Sequence, residues 1–298
     1  MTDPLVLHSL LGNHPNTKAL KSGQVSSPLV KFDYFEVKVA NTQFKAIVRD
    51  LKYDFGELAI VTFLQARHYG KPYILLPATI VGRNQHHTIF YNAEKGALTP
   101  RDLNGKCIGV RAYTQTTGTW VRGFLAQDYG VDPNTVTWIT FEEPHVVEYR
   151  DPPNVRRAPD GKVLKQMLLD GEIDAAILGD VGEDGPIRHL IPNHEEAGRA
   201  WAHAHGGVPI NHLAVLRENI VRSRPDVVRE VYRVLKESRA AASLPTGAND
   251  PLRFGIAAIR QSLEQINAYA VEQKLIPRAF SADELFEDAH RILGAAAA

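Results

Sequence analysis

The sequence predicts a two-lobed α/β fold in which a second lobe is inserted into the first and a ligand cleft lies between them. Three observations predict it. At 298 residues the chain is long enough to bury two cores. Short β-rich runs alternate with amphipathic helical stretches, the pattern of an α/β fold with largely parallel sheets. The pattern also breaks near Tyr91 and near Gly206. Residues 1–91 and 207–298 are therefore expected to form a discontinuous first lobe, and residues 92–206 the inserted one.

The elements follow in order. Leu5 to Leu10 reads as a strand, followed by a Gly/Asn/Pro turn and a short helix over Thr17 to Lys21; Phe32 to Val39 is a second strand. Phe44, Ile47, Val48 and Leu51 share one helical face, and the periodicity carries a further helix from Phe55 to Tyr69, stopped by Gly70-Lys71-Pro72. Tyr73 to Ala78 and His87 to Tyr91 read as strands. In the inserted lobe, Thr99 caps a short turn with Pro100 at its first position, and Cys107 to Arg111 is a strand. A helix follows from about Thr117 to Tyr129, then a strand over Val136 to Phe141. Lys162 to Leu169 is helical with Gly171 as its C-terminal cap, and Ile173 to Leu178 is a covered strand. His194 to His205 is helical, Pro209 to Arg217 returns as a strand, and the rest is helical, with a capping box at Ser281 to Glu284.

Acidic and basic residues balance at 34 each, so no net field favours nucleic acid or a membrane surface. The N-terminal segment has neither a basic region nor a long apolar run, which points to a cytoplasmic protein, and no stretch approaches the length of a membrane span. The one cysteine, Cys107, lies in an apolar run and reads as a small core residue.

Candidate chemistry gathers at three places. The loop from Ala112 through Tyr113, Gln115, Thr116 and Thr117 leads into a helix, where hydroxyls, free N–H groups and the helix dipole suit an anion. Arg111 and Arg122 are close in sequence and can bind a carboxylate in bidentate fashion. A single threonine acting as an ordinary cap would explain less of this density of hydroxyls. Arg83 to Thr88 occupies the first crossing, where at most one of His86 and His87 can face a cleft if the segment is a strand. His212 lies just past the second crossing. Glu57, expected near a helix start, is either an ordinary first-turn acid or the partner of a histidine. Glu142, Glu143 and His145 end a strand of the inserted lobe, where α/β ligand sites gather. His203 and His205 do not share a helix face, and no zinc motif, phosphate loop, dinucleotide fingerprint or nucleophile elbow is present.

The run Tyr113, Gln115, Thr117, Trp120, Arg122, with His86, Ile89, Asn92, Glu142-Glu143-Pro144 and Pro209-Ile210-Asn211-His212, resembles the 4,5-dihydroxyphthalate decarboxylase family. The resemblance extends from about Phe44 to Leu235. Asp102 to Lys106 and Gly171 to Ala175 match as well, but such pieces recur in solute-binding proteins and speak for fold alone. Two places depart from the family pattern. Asn84-Gln85 stands where an aromatic-Arg pair precedes the histidine, and Gly179 to Asp184 is acidic.

The resemblance implies the periplasmic-binding-protein type II fold and a cofactor-free carboxy-lyase acting on a small aromatic dicarboxylate. In that reading His86 and His212 are the acid–base pair, in either order, and Glu57 orients one of them. Thr116, Thr117 and Arg122 hold a carboxylate, and Arg83, Tyr113, Gln115 and Glu142 complete the binding set. A chelated divalent metal on Glu57, His86 and His212 is the alternative chemistry. A non-catalytic binding protein is the alternative function, since this fold mostly binds without reacting. The single cysteine speaks against a thiamin-pyrimidine synthase-like protein, and the long C-terminal helices are suited to a homo-oligomer interface.

Overall fold

The computed structural model describes residues 3–247 and 250–297. The chain divides into two compact units. The first comprises Met1–Arg83, Gly206–Gln265 and Phe280–Ala298, and the second Asn84–His205 and Ile266–Ala279. The sequence reading kept residues 1–91 and everything after residue 206 in the first lobe. Residues 84–91 and 266–279 instead group with the second unit, where Tyr269 packs edge-on against Trp120 at 5.8 Å and Gln273 bonds to Arg122.

In chain order the strands are β1 (Leu5–Leu10), β2 (Val30–Tyr34), β3 (Phe55–Ala59), β4 (Tyr73–Gly82), β5 (Ile89–Asn92), β6 (Cys107–Val110), β7 (Thr137–Thr140), β8 (Val155–Arg157), β9 (Ala175–Ile177), β10 (Ile187–His189) and β11 (Ile210–Arg217). The first unit holds a sheet of order β2-β1-β3-β11-β4. Strands β1, β2 and β3 are parallel, and β11 is antiparallel to both β3 and β4. Every residue of β3 is buried, and Leu213 to Leu216 of β11 are wholly so. Leu213 to Leu216 form the unbroken apolar run of a strand covered on both faces, whereas β3 carries Glu57 in its middle. The helix Pro225–Ala241 turns Val227, Val228, Val231 and Leu235 inward, as their spacing predicts.

The expected helix over Phe55 to Tyr69 is corrected. Its first five residues form β3, and the helix is Ile60–His68. A short run that is apolar on all sides has the same look as a buried strand or a buried helix, so periodicity could not separate them. The change matters because it moves Glu57 from a helix start into the middle of a sheet.

The second unit holds a sheet of order β10-β5-β9-β6-β7-β8. Strands β6 to β9 run parallel, and β5 is antiparallel to β9 and β10. Phe90, Met167, Leu168, Ile173, Ala176 and Ile187 form one buried cluster on this sheet. The helix Thr116–Tyr129 follows β6 and ends at Gly130, whose φ of +70° gives the left-handed cap that glycine adopts freely. The strand expected from His87 begins later. His86–Thr88 is a turn of 3₁₀ helix and β5 starts at Ile89, so the alternation argument for the two histidines does not apply. No helix among the described residues is long and apolar enough to cross a membrane.

Leu213 is completely buried in β11 between two neighbouring strands, whereas Val163 is 61% exposed. We expect Leu213→Ala to cost about 2–5 kcal/mol in denaturant unfolding. Val163→Ala should stay within about 0.5 kcal/mol. Comparable losses in the two variants would contradict the placement of this core.

Candidate active site

Register brings the first two candidate groups together. Glu57 of β3 lies opposite Ala214 of β11, and His212 lies opposite Ala59. Side chains two residues apart on a strand share a face, so Glu57 and His212 are diagonal neighbours within reach of long side chains. His212 Nδ1 meets Glu57 Oε2 at 2.6 Å, and the imidazole rests edge-on against Phe44 at 5.0 Å.

The third group comes from the turn after β1. Strand β1 runs alongside β3, which places Gly12-Asn13-His14 beside Glu57. His14 Nε2 lies 2.9 Å from Glu57 Oε1, and the Gly12 N–H donates to the same oxygen at 2.6 Å. Thr17 locks this turn: its hydroxyl donates to the Gly12 carbonyl and accepts from the His14 N–H. Glycine at position 12 leaves room for the His14–Glu57 contact. A Cβ there would stand 2.5 Å from His14 Nε2 and 2.7 Å from Glu57 Oε1.

Glu57 is thus a carboxylate with no exposed surface, bonded on both oxygens. Burial alone pushes its pKa up, but the hydrogen bonds and charges of His14 and His212 outweigh that and hold it well below the usual carboxylate range. Burial works against a charge on His14 as well. There the Glu57 hydrogen bond and charge win over burial and over nearby Lys21, and the pKa is raised. An ionised carboxylate only accepts, so each imidazole turns an N–H toward Glu57. Its second nitrogen then accepts a proton when the ring is neutral and donates one when it is charged. Histidine was recognised at position 212 from sequence; His14 was not. Its signal was present, since the Gly-Asn-His-Pro turn follows the first strand at its carboxyl end, where α/β sites gather.

His14 also lines a cavity of about 710 Å³, with Lys18, Lys21 and Glu36 around it. Lys21 is fixed by a bond from Nζ to the Leu11 carbonyl and sits over the Tyr34 ring. Neither lysine stood out in the sequence. Arg83, the remaining first-unit candidate, is half-buried, and its backbone N–H donates to the Pro209 carbonyl.

The other predicted residues belong to the second unit. His86 is buried and stacked on Phe124 at 4.1 Å with Nδ1 unpartnered. Burial, helped by the charges of His87 and His194, lowers its pKa to about 4. Thr116 and Thr117 are buried in the first turn of their helix, and Gln115 at its N-cap makes no side-chain cap bond. Tyr113 is buried with its ring against the Arg122 guanidinium. Arg122 has no exposed surface at all. Glu142 accepts from Arg111 at 3.0 Å on a partly exposed surface. Among the described residues, no group of three or more His, Cys, Asp or Glu is arranged to hold a metal ion.

His86 supplies a pH test. A histidine whose folded pKa lies below its unfolded value stabilises above the unfolded value and loses that contribution as pH falls through the folded one. With 6.5 unfolded and about 4 folded, the loss falls between those pH values and amounts to about 3 kcal/mol. We expect His86→Phe to flatten the fall in unfolding free energy across that window. An unchanged pH slope in the variant would contradict the buried, neutral ring.

No family model matches the chain. It is 28% identical over 255 residues to a 4,5-dihydroxyphthalate decarboxylase of Comamonas testosteroni, covering 80% of this chain and 76% of that one. It is 30% identical over 188 residues to a 4,5-dihydroxyphthalate decarboxylase of Pseudomonas putida, covering 59% of this chain and 72% of that one. Among solved structures it is similar to the alkanesulfonate-binding protein SsuA of Xanthomonas axonopodis pv. citri, with a TM-score of 0.60, 16% identity, and coverage of 93% and 96%. The periplasmic sulphonate-binding protein SsuA of Escherichia coli follows at a TM-score of 0.53 and 12% identity, with coverage of 96% and 83%. These structures establish the periplasmic-binding-protein fold. By its sequence the chain belongs to the 4,5-dihydroxyphthalate decarboxylase family.

Proposed function

We propose that the protein removes one carboxylate, as CO₂, from a hydroxylated aromatic dicarboxylate, with 4,5-dihydroxyphthalate going to protocatechuate as the reaction. The observation that carries this reading is the pair of histidines held on one buried carboxylate. Family membership and the cationic cavity beside His14 support it.

Direct loss of CO₂ from a benzene ring would leave an aryl carbanion. A ring hydroxyl para to the departing carboxylate avoids it. A base takes the phenolic proton, and the ring carbon bearing the carboxylate accepts a proton from an acid. The C–C bond then breaks, its electron pair restores the aromatic ring, and CO₂ leaves. The base returns its proton to the phenolate oxygen. The proton on carbon stays in the product, so the acid is recharged from solvent and one proton is consumed per turnover.

This demands an acid and a base that are both effective near neutral pH. Glu57 with two histidines meets the demand with one shared proton, because the charged ring offsets the buried carboxylate while the neutral ring remains a base. His14, whose pKa is raised, is assigned as the acid, and His212 as the base. His14 and His212 thus make up the acid–base pair that was expected, in unassigned order, of His86 and His212. Lys18 and Lys21 are assigned to the carboxylates of the ring, where fixed charge positions the reacting carbon.

We assign no metal to the reaction. Both Glu57 oxygens are used on imidazole N–H groups, so the three side chains bond to one another instead of facing a common centre. Apart from the C–C cleavage itself, every step above is a proton transfer.

The test is protocatechuate and CO₂ release from 4,5-dihydroxyphthalate by chelator-treated protein. Turnover is expected without added metal. His14→Ala and His212→Ala should each lower kcat by about 10²–10⁴. Lys18→Ala and Lys21→Ala should act mainly on KM, increasingly at low salt. A requirement for a divalent ion would reject the proton-transfer reading, and tight binding without turnover would make the protein a receptor.

A further inference from the structure

Arg122 is a buried cation with no acid bonded to it. Its side chain has no exposed surface, and among the described residues it forms no ion pair. Nε donates to Gln273 Oε1 at 2.7 Å, and Nη2 to the Tyr113 carbonyl at 2.6 Å and the Thr119 hydroxyl at 3.4 Å. Nη1 has no partner. The guanidinium lies 4.0 Å from the Tyr113 ring centre and 5.2 Å from that of Trp138. All of its acceptors are neutral. A buried guanidinium cannot escape the cost of burial by losing its proton, so it needs an anion.

A cavity of about 130 Å³ adjoins it, within the second unit and walled by Arg122, Tyr113, Asn134, Asn154 and Gln273, with Lys274 and Glu272 beside them. Lys274 holds a left-handed backbone at φ +60°, uncommon for a residue with a side chain. Water takes about 30 Å³ in the liquid, and a cavity of about 150 Å³ is what a bare benzene ring occupies. The space therefore suits a small oxyanion and excludes a ring carrying two carboxylates and two hydroxyls. We infer that this cavity is a binding site for a small oxyanion of the carboxylate, bicarbonate or phosphate type, with Arg122 as its buried charge and Lys274 as a second cation.

Two acids must be weighed against it. Glu272 is exposed, as Lys274 is, so water screens both charges alike and the buried charge of Arg122 is the one that an anion would chiefly meet. Asp151 precedes cavity residue Pro152, and its Oδ1 is buried without a partner. The charge of Asp151 favours the Arg122 guanidinium from a distance, and burial raises the Asp151 pKa against the charges of Arg157 and Arg122, but among the described residues the two form no hydrogen bond or ion pair. An anion at Arg122 would also clamp Gln273 and Lys274, from the C-terminal return, onto the helix Thr116–Tyr129. Gln273 already bonds that helix through the Thr119 carbonyl.

The experiment measures thermal unfolding of the whole protein at fixed ionic strength and pH, titrating acetate, bicarbonate or phosphate against chloride. At least one of the three should raise Tm saturably by about 3 °C at millimolar concentration. The response separates the sources: acetate alone marks a carboxylate site, bicarbonate alone a hydrated-CO₂ site, and phosphate alone a phosphate site. General salting effects on stability need far higher concentrations and have no saturation. Ala126 lines the cavity, so Ala126→Phe should abolish the shift by filling it. Lys274→Met should move the midpoint to at least threefold higher anion concentration, a readout that stands even if the first variant folds poorly. No anion outperforming chloride, or an undiminished shift in both variants, would overturn the proposal.

Discussion

A single carboxylate, Glu57, organises the first unit around a charge buried with no solvent contact. An isolated ion in that position would be several kcal/mol too costly to keep. The surrounding chain is arranged to prevent that cost. The β3–β11 register supplies His212, the turn after β1 supplies His14 and the Gly12 N–H, and Thr17 holds that turn in shape. Hydrogen bonds to a charged group stabilise by about 1.5–3 kcal/mol each, so three of them suffice to keep Glu57 ionised against its burial. The same arrangement that stabilises the charge leaves two imidazoles with one nitrogen apiece for chemistry. Structure and proposed mechanism therefore depend on the same three contacts.

The two units treat charge differently. In the first, a buried anion is matched by two imidazoles, each bonded to it through one ring nitrogen. In the second, Arg122 is permanently charged and meets only neutral acceptors, while His86 is buried in its neutral form. A titratable partner suits a site that moves protons. A permanent cation beside a small cavity suits a site that holds an anion still. Arg122 was assigned to the substrate from its place in a hydroxyl-rich helix start. Its complete burial and the size of the adjoining space instead favour a smaller occupant.

Much of this fold was legible in the sequence because its strands and helices differ in period and are punctuated by Gly and Pro. The Pro225–Ala241 helix and the Gly171 cap are examples. The segment Phe55 to Ala59 was not legible as a strand, since a run buried on every side carries no period to read. His212 could be found because it lies just past the second crossing and within the Pro209-Ile210-Asn211-His212 match. His14 was hidden in a turn, where Gly, Asn and Pro explain the local chain and leave the histidine looking incidental. The assignment of residues 266–279 to the second unit depends on long-range bonds such as Gln273 to Arg122, which no local pattern announces.

The central claim is that Glu57 sets the protonation of two histidines. It is tested most directly by nitrogen-detected NMR of the imidazoles, titrated in the wild type and in Glu57→Gln. The account predicts that His14 Nε2 and His212 Nδ1 carry the proton in the neutral rings, and that His14 titrates above an ordinary histidine. In Glu57→Gln the His14 midpoint should fall, because burial then acts without the carboxylate to oppose it. A His14 midpoint that is the same in both proteins, or neutral rings with the opposite nitrogens protonated, would contradict it.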